Sequence, residues 1–243
     1  NRFRDFRAEP VLEILDRLAL GDRERVADLG CGSGENTVEI ARRSPGGNVL
    51  GIDSSRAMID AANKLRDTLD PALRSRIGFA PGDIRDFHAS GEFSVIFSNA
   101  AFQWVPGHRE IFRSCKDALA PGGRIVVQMP ANDEETAKVE LSRLAGEAPW
   151  SQTLGGVDRS LRAVAPPEHY RRMLAELGYT GVDCYYRTFE HPMNDPGEVV
   201  QFYRSTGLRP FLNALAPERH EQFLAALQER YERAYGTTGK VIF

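Results

Sequence analysis

An α/β fold, with a mostly parallel sheet covered by helices on both faces, is the architecture this sequence predicts, and three observations carry the prediction. Short apolar runs alternate with helical periodicity from Arg25 to Gln128, the pattern of repeated βα units. Val26-Ala27-Asp28-Leu29 leads into Gly30-Cys31-Gly32-Ser33-Gly34, a strand followed by a glycine-rich turn. Phe93-Ser94-Val95-Ile96-Phe97-Ser98 is almost continuously apolar, as a central parallel strand buried on both faces must be.

The elements follow in order. Pro10 with Val11, Leu12, Ile14, Leu15 and Leu18 predicts a first helix with one apolar face and proline in its first turn. Strand one covers 25–29, the next helix 35–43 and strand two 48–52. Ser54 or Ser55 then caps a helix reaching Leu69, which Pro71 ends. Strand three is 77–80 and strand four 93–98; a helix over 108–119 stops at Pro121-Gly122-Gly123, which turns into strand five, 124–128.

Beyond Pro130 the pattern loosens: a helix over 133–147, a loop over 150–165, and a helix from Pro166-Pro167 to Leu177. A sixth strand over 182–189 precedes helical stretches at 196–205, 208–214 and 217–235, and 240–243 begins a final strand. The expected sheet is therefore Rossmann-like with seven strands, and a helical insertion before the last one lies over the active-site face. One domain is expected over 1–243, with a ligand-binding core at 22–130 and a helical substrate cap from 131–165 and 191–236.

A chain of 243 residues has ample core for such a domain. Its 31 basic and 34 acidic residues are mixed throughout, for a net charge of −3. No basic block marks nucleic-acid binding and no long apolar run marks a membrane span. The three cysteines are widely spaced, without metal-ligand spacing; this pattern points to a reducing, cytoplasmic setting and no metal. The chain opens abruptly at Asn1-Arg2-Phe3 and stops at Val241-Ile242-Phe243 inside an expected strand, so both ends read as trimmed. Monomer and homodimer stay open.

The glycine spacing selects the ligand. Gly30, Gly32 and Gly34 form G-x-G-x-G, not the G-x-G-x-x-G of dinucleotide folds. A pyrophosphate would rest on the next helix N-terminus, where Glu35 would repel it. S-adenosylmethionine, which carries an adenosine and an amino-acid tail but no phosphate, fits better. Asp28 meets its ammonium, the turn N–H groups its carboxylate, and Asp53, at the tip of Val49-Leu50-Gly51-Ile52-Asp53, both ribose hydroxyls. The other reading is that the glycines serve only a tight turn and Asp53 is a helix N-cap. Cys31 reads as a small packed residue.

Together with Gly82-Asp83-Ile84 at the third strand end, these motifs resemble the class I S-adenosylmethionine-dependent methyltransferases. The resemblance implies that Asp83 and Ile84 receive the adenine, and the cofactor set is completed by Ser54, Met58 and Asn99. Three further segments are expected to wall the substrate: Ser98 to Trp104, Gln128-Met129-Pro130 and the inserted helices. Phe102-Gln103-Trp104 reads either as a lip facing the substrate or as a helix start with both aromatics buried and Gln103 solvated.

Asn99 to Val105, Val127 to Pro130, Ala148-Pro149-Trp150, His191-Pro192-Met193 and Thr206-Gly207-Leu208-Arg209-Pro210-Phe211-Leu212 together resemble the trans-aconitate methyltransferases, as does the Phe3, Arg7, Pro10 spacing. The similarity covers nearly the whole chain, and it implies methyl transfer to one carboxylate of trans-aconitate or a related acid. It points to Phe3, Arg7, Gln103, Trp104, Met129, Arg159, His191 and Arg209 as substrate residues. Arg209 ranks first, then Arg7 and Arg159; His191 reads equally as a structural turn residue.

The chemistry agrees. A carboxylic acid with a pKa of about 4 is already ionised near neutrality, so no general base and no catalytic side chain are expected. Positioning, worth about 7–11 kcal/mol, and desolvation do the work. From Trp150 to Pro210 every Lys or Arg position is arginine: Arg159, Arg162, Arg171, Arg172, Arg187, Arg204 and Arg209. Guanidinium forks match carboxylates, although seven acids in the same stretch balance them. The competing readings are a methyltransferase of a fatty, isoprenoid or malonyl-thioester acid, and a nucleotide binder without methyl transfer.

Overall fold

The computed structural model describes residues 2–157, 164–204, 207–236 and 241–242. The chain runs α1 (Arg2–Leu18), β1 (Arg25–Leu29), α2 (Glu35–Arg43), β2 (Asn48–Asp53), α3 (Arg56–Asp67), α4 (Pro71–Arg74), β3 (Ile77–Pro81), β4 (Phe93–Asn99), α5 (His108–Ala118) and β5 (Leu119–Gln128). Then come α6 (Thr136–Ala145), α7 (Ser151–Leu154), α8 (Pro167–Glu176), β6 (Pro192–Met193), α9 (Pro196–Arg204), α10 (Arg209–Ala214), α11 (His220–Tyr235) and β7 (Val241–Ile242). Two compact units result, one from 7–130 and 163–186, the other from 1–6, 131–162 and 187–243.

In the first unit five parallel strands pair in the order β3-β2-β1-β4-β5. The order reverses between β1 and β4, where ligands of open α/β sheets bind beyond the strand C-termini. Strand periodicity assigns the faces. Val26, Val49, Val95 and Phe97 pack with Val11 and Leu15 of α1 and with Val38, Ile40 and Ala41 of α2. The alternate residues Ala27, Leu29 and Ile96 pack with Ile111, Phe112 and Cys115 of α5 and Tyr170 and Met173 of α8. Helices thus cover both faces of a parallel sheet.

The expected seven strands are corrected by this pairing: five form the sheet, and β6 and β7 form a separate antiparallel pair among the described residues. Residues 182–189, expected as strand six, take no ladder partner among the described residues. Their alternation survives, with Val182 and Cys184 partly buried and Asp183 and Tyr185 exposed. A side chain occupies one backbone carbonyl that a neighbouring strand would otherwise meet. Arg171 donates to the Cys184 carbonyl, while Arg17 pairs with Asp183 at 3.3 Å and lies 4.9 Å from the Tyr185 ring centroid. A strand exists only where a neighbour supplies the ladder.

Two prolines behave otherwise than expected. Pro10 lies inside α1 rather than in its first turn. The helix tolerates the missing N–H because Phe3 and Phe6, N-terminal to it, are held in an apolar cluster of the second unit, so packing outweighs the local preference. Pro71 follows the end of α3 and also opens α4, with Asp70 capping the Leu73 N–H at 2.9 Å. The loop expected at 150–165 contains α7, and β5 starts at Leu119 and runs through Pro121-Gly122-Gly123 with an irregular register opposite Phe93–Val95.

The second unit is helical around a core that includes Leu141, Trp150, Leu154, Val199, Phe211, Phe223 and Tyr231. Polar groups inside it are satisfied: the Tyr231 hydroxyl donates to the Ala137 carbonyl at 2.9 Å, and that of Tyr235 to Glu135 at 2.7 Å. The other Glu135 oxygen caps α6 at the Ala137 N–H, 2.8 Å away. Helices α9, α10 and α11 stand before β7, where the helical insertion was expected. Among the described residues no helix is long and apolar enough to cross a membrane.

Helix α2 is anchored from behind. One Arg76 guanidinium nitrogen donates to the carbonyls of Ala41, Ser44 and Gly47 at 2.9, 2.8 and 3.2 Å, meeting the negative end of the helix with a cation. Arg76→Met, which keeps the aliphatic stem, should destabilise the protein by about 2–3 kcal/mol, the scale for hydrogen bonds to a charged group. Urea denaturation reads this as a lower midpoint at constant slope; an unchanged midpoint would mean that Arg76 does not hold the helix.

Candidate active site

The glycine turn is built from β1 outward. Asp28, in register with Gly51 and Phe97, is 1% exposed at the C-terminal end of the central strand. The Thr37 hydroxyl, on the first turns of α2, donates to it at 2.6 Å. Burial pushes the Asp28 carboxyl up to about 7; the Thr37 bond pulls the other way, and the nearby Asp53 charge adds to the rise. Thr37 was not singled out in the sequence, although a hydroxyl one helical turn past the glycines is the signal that could have found it.

Beyond Asp28 the backbone turns sharply. Gly30 has φ 77°, and a Cβ on it would stand 2.2 Å from that of Ala101, so only glycine lets the turns after β1 and β4 meet. At Gly32 (φ 55°) a Cβ would meet nothing within 4 Å, so the open side of the turn is there. Asp53 bridges the two strand ends: one oxygen accepts from the Gly32 N–H at 2.9 Å, the other from the Ser55 N–H at 2.8 Å. Gly30 and Cys31 donate to the Ile52 carbonyl, and Gly34 to that of Cys31. The turn N–H groups expected to face a ligand carboxylate are thus largely engaged within the turn.

Ser55, not Ser54, is the N-cap of α3, accepting from the Met58 N–H at 3.4 Å, and Ser54 is exposed. Cys31 is 6% exposed; burial first, then Asp28 and Asp53, holds its thiol far above the ordinary range, which makes it a packed and inert residue. At the β3 end Asp83 caps the following 3-10 turn and is gripped by its neighbour Arg85, at 3.0 and 2.6 Å through the side chain. The Arg85 hydrogen bonds lower the Asp83 pKa. Ile84 beside it is 7% exposed.

The turn after β4 departs from the reading as a helix start with both aromatics buried and Gln103 solvated. Phe102 is fully buried, Gln103 is 9% exposed and Trp104 is 48% exposed. Gln103 Nε2 donates to the Ala100 carbonyl at 2.8 Å. Gln103 Oε1 and Asn99 Oδ1 are buried and have no hydrogen-bond partner among the described residues. His108, at the start of α5, joins the Phe102 carbonyl at 2.9 Å to the Tyr170 hydroxyl at 2.8 Å, and that hydroxyl lies 4.0 Å from the sulfur of Met129. No periodic signal marks this His108–Tyr170 pair, whose members lie far apart along the chain.

Of the remaining expected residues, Phe3, His191, Arg187, Arg204 and Arg209 belong to the second unit and Arg171 and Arg172 to the first. Phe3 meets Phe202 edge-on at 6.0 Å, and His191, 8% exposed, stacks on Phe6 at 4.7 Å. Arg159, Arg162 and the Arg7 side chain lie outside the described residues. Arg171 pairs with Glu168 and Arg204 with Glu221, while Arg187 lies over the Phe189 ring. Arg172 and Arg209 are exposed and have no ion pair among the described residues.

Two carboxyl groups, a bare glycine and a buried amide oxygen without a donor therefore cluster at the tips of β1, β2 and β4. Among the described residues no cation pairs with Asp28 or Asp53. Such a donor set accepts hydrogen bonds and positive charge, as S-adenosylmethionine's ammonium and ribose hydroxyls require, and repels phosphate. At the entrance of α2, Glu35 adds negative charge and is held by the Ser33 hydroxyl at 2.6 Å.

Comparison with known proteins agrees with this chemistry. Residues 26–123 match a methyltransferase domain family. The trans-aconitate 2-methyltransferase of Variovorax paradoxus (strain S110) is 36% identical over 234 residues, which cover 96% of this chain and 87% of that protein. The protein of the same name from Methylobacterium radiotolerans is 35% identical, with 96% and 87% covered. Among solved structures, the YcgJ protein of Bacillus subtilis superimposes with a TM-score of 0.62 at 14% identity, covering 96% of this chain and 94% of that one, a likeness of fold alone. On this sequence likeness the chain belongs to the trans-aconitate 2-methyltransferase family of S-adenosylmethionine-dependent methyltransferases.

Proposed function

We propose that this protein methylates one carboxylate of a small polycarboxylic acid such as trans-aconitate, giving a monomethyl ester. The observation that carries the acceptor is likeness, over 96% of the chain, to relatives named for that activity. S-adenosylmethionine, the cofactor, supplies an electrophilic methyl group on a sulfonium. Asp28 and Asn99 accept from its ammonium, and Asp53 accepts from the ribose hydroxyls while keeping the Gly32 turn in place. Asp83 and Ile84 take the adenine, with Gly30, Cys31, Gly32, Gly34, Ser54 and Met58 lining the cofactor.

The acceptor needs no proton removed, because a free carboxylate is already the nucleophile. The protein's task is to hold that carboxylate, strip its water and bind its partner carboxylates. Arg209 has a guanidinium to spare and the rigid Pro210 beside it, and it grips a carboxylate that is not methylated; Arg7 and Arg159 assist. Phe3, Trp104, Met129 and His191 supply apolar and aromatic surface to the carbon skeleton. The three free cysteines suit a reducing cytoplasm, and the mixed charge favours a small-molecule partner over nucleic acid.

Mass spectrometry of products from tri-, di- and monocarboxylates tests the acceptor; a monomethyl ester from a tricarboxylate is expected, and turnover of only long-chain monocarboxylates would overturn it. Asp53→Ala should weaken S-adenosylmethionine binding by about 2–4 kcal/mol, since hydrogen bonds to a charged group are worth about 1.5–3 kcal/mol each. Calorimetric titration of the variant checks this, and full affinity would remove Asp53 from the site. Arg209→Ala should lower kcat/KM for a tricarboxylate by about ten- to a hundredfold, the same energy scale, with cofactor affinity intact and a monocarboxylate of similar size hardly affected. Equal losses on both acids would make Arg209 structural.

A further inference from the structure

The amide of Gln103 has a fixed direction. The Ala100 carbonyl can only accept, so the end of the side chain that meets it at 2.8 Å must be the NH2. The other end, Oε1, is then an acceptor, and it is buried without a donor among the described residues in a side chain only 9% exposed. A buried acceptor left unmet costs about 1–3 kcal/mol, so a group that binds here is expected to satisfy it.

The backbone around Gln103 is held from several sides. Ala100, a non-glycine residue, has φ 50°, a left-handed conformation that persists only where its surroundings impose it. Its N–H donates to the Gln128 carbonyl, and the Trp104 N–H to that of Ala101. Gly30 abuts Ala101, and His108 holds the Phe102 carbonyl at 2.9 Å. The oxygen is therefore presented by a turn locked against the glycine turn of β1.

A substrate carboxylate cannot satisfy it, because an ionised carboxyl group only accepts. The cofactor's ribose hydroxyls and adenine are taken by the ends of β2 and β3 in the placement above, which leaves its two cationic groups. One is an ammonium, which donates N–H. The other is a sulfonium, which has no N–H or O–H and meets an acceptor through its charge and the polarised C–H groups beside it. The ammonium suits Asp28 and Asn99, which strand alternation puts on one face of the sheet: Asp28 is in register with Phe97, and Asn99 lies two residues on. Gln103 belongs to the next turn and carries no charge. A neutral amide oxygen stabilises a sulfonium without competing for the methyl group, as a carboxylate there would.

We propose that Gln103 Oε1 contacts the sulfonium of S-adenosylmethionine, so that this residue favours the charged cofactor over its neutral demethylated product. This rests on the cofactor placement above but not on the identity of the acid. Gln103 thereby moves from the substrate set expected from the sequence to the cofactor set.

Calorimetric titration of S-adenosylmethionine and S-adenosylhomocysteine, without any acceptor acid, tests it on the wild type, Gln103→Met and Gln103→Glu. Methionine removes the amide dipole at similar volume; affinity for S-adenosylmethionine should fall about tenfold, the scale of a polar contact to a charged group, while that for S-adenosylhomocysteine changes little. Glutamate can keep the bond to the Ala100 carbonyl only as the protonated acid, whose hydroxyl donates while its carbonyl oxygen stands where Oε1 was. The preference for the charged ligand should therefore survive in it. Melting curves of the free variants report folding separately. Equal weakening of both ligands would place Gln103 on a part they share. Unchanged affinities with a raised KM for the acid would place it on the substrate. Either result overturns the proposal. If the wild type binds both ligands but esterifies no polycarboxylate, the proposed acceptor fails and the Gln103 assignment is unaffected.

Discussion

A carboxyl group buried at the end of the central strand, with a threonine hydroxyl as its partner and no cation paired to it among the described residues, is the constraint around which the candidate active site is arranged. Asp28 is 1% exposed and bonded to Thr37 at 2.6 Å. Its cost to the fold has a definite sign. Burial raises its pKa to about 7, above the roughly 3.9 of an unfolded aspartate. Between those values the folded chain holds a proton that the unfolded chain has released. The contribution of this group to stability therefore falls as pH rises from about 4 to 7, by up to about 4 kcal/mol. A sheet built for stability alone would carry an apolar residue here; the cationic ligand proposed above would account for an acid.

The surrounding parts follow from that acid. Thr37 can reach it only if α2 starts at once after the turn, with Gly34 as its N-cap in a left-handed conformation. Arg76 fixes the far end of the same helix. Asp53 ties β2 to the turn through the Gly32 N–H. A second acid so close to Asp28 raises the demand for positive charge from outside the protein, and Asn99 Oδ1 at the end of β4 and Gln103 Oε1 in the turn after it add two more acceptors.

Much of this was legible in the sequence because the signals are local. Period-two burial and continuous apolar runs located β1 to β5, and glycine spacing next to two acids located the turn, since φ and close approach there admit few other residues. Non-local chemistry was not legible. Residues 182–189 alternate as a strand should, yet whether a strand forms depends on a neighbour the local pattern cannot name. Pro10 marked a helix start by local rules, and the packing of Phe3 and Phe6 overrode it. Polarity suggested Gln103 at the surface and Trp104 inside as one of two readings; the Ala100 carbonyl instead holds the Gln103 amide inside, and Trp104 is 48% exposed. Arg85, two residues past Asp83, was a readable signal of the fork that grips it.

The central claim, that Asp28 is the seat of the cofactor's ammonium, predicts a proton count. Near pH 6 the free protein should hold Asp28 largely protonated, and an ammonium beside it should drive that proton off. Titration calorimetry of S-adenosylmethionine binding at pH 6, repeated in buffers of different ionisation enthalpy, measures the protons exchanged. Release of about one proton per cofactor bound is expected for the wild type, and none for Asp28→Asn. No release from the wild type, or equal release from both proteins, would contradict the assignment of Asp28 and with it the arrangement of the site.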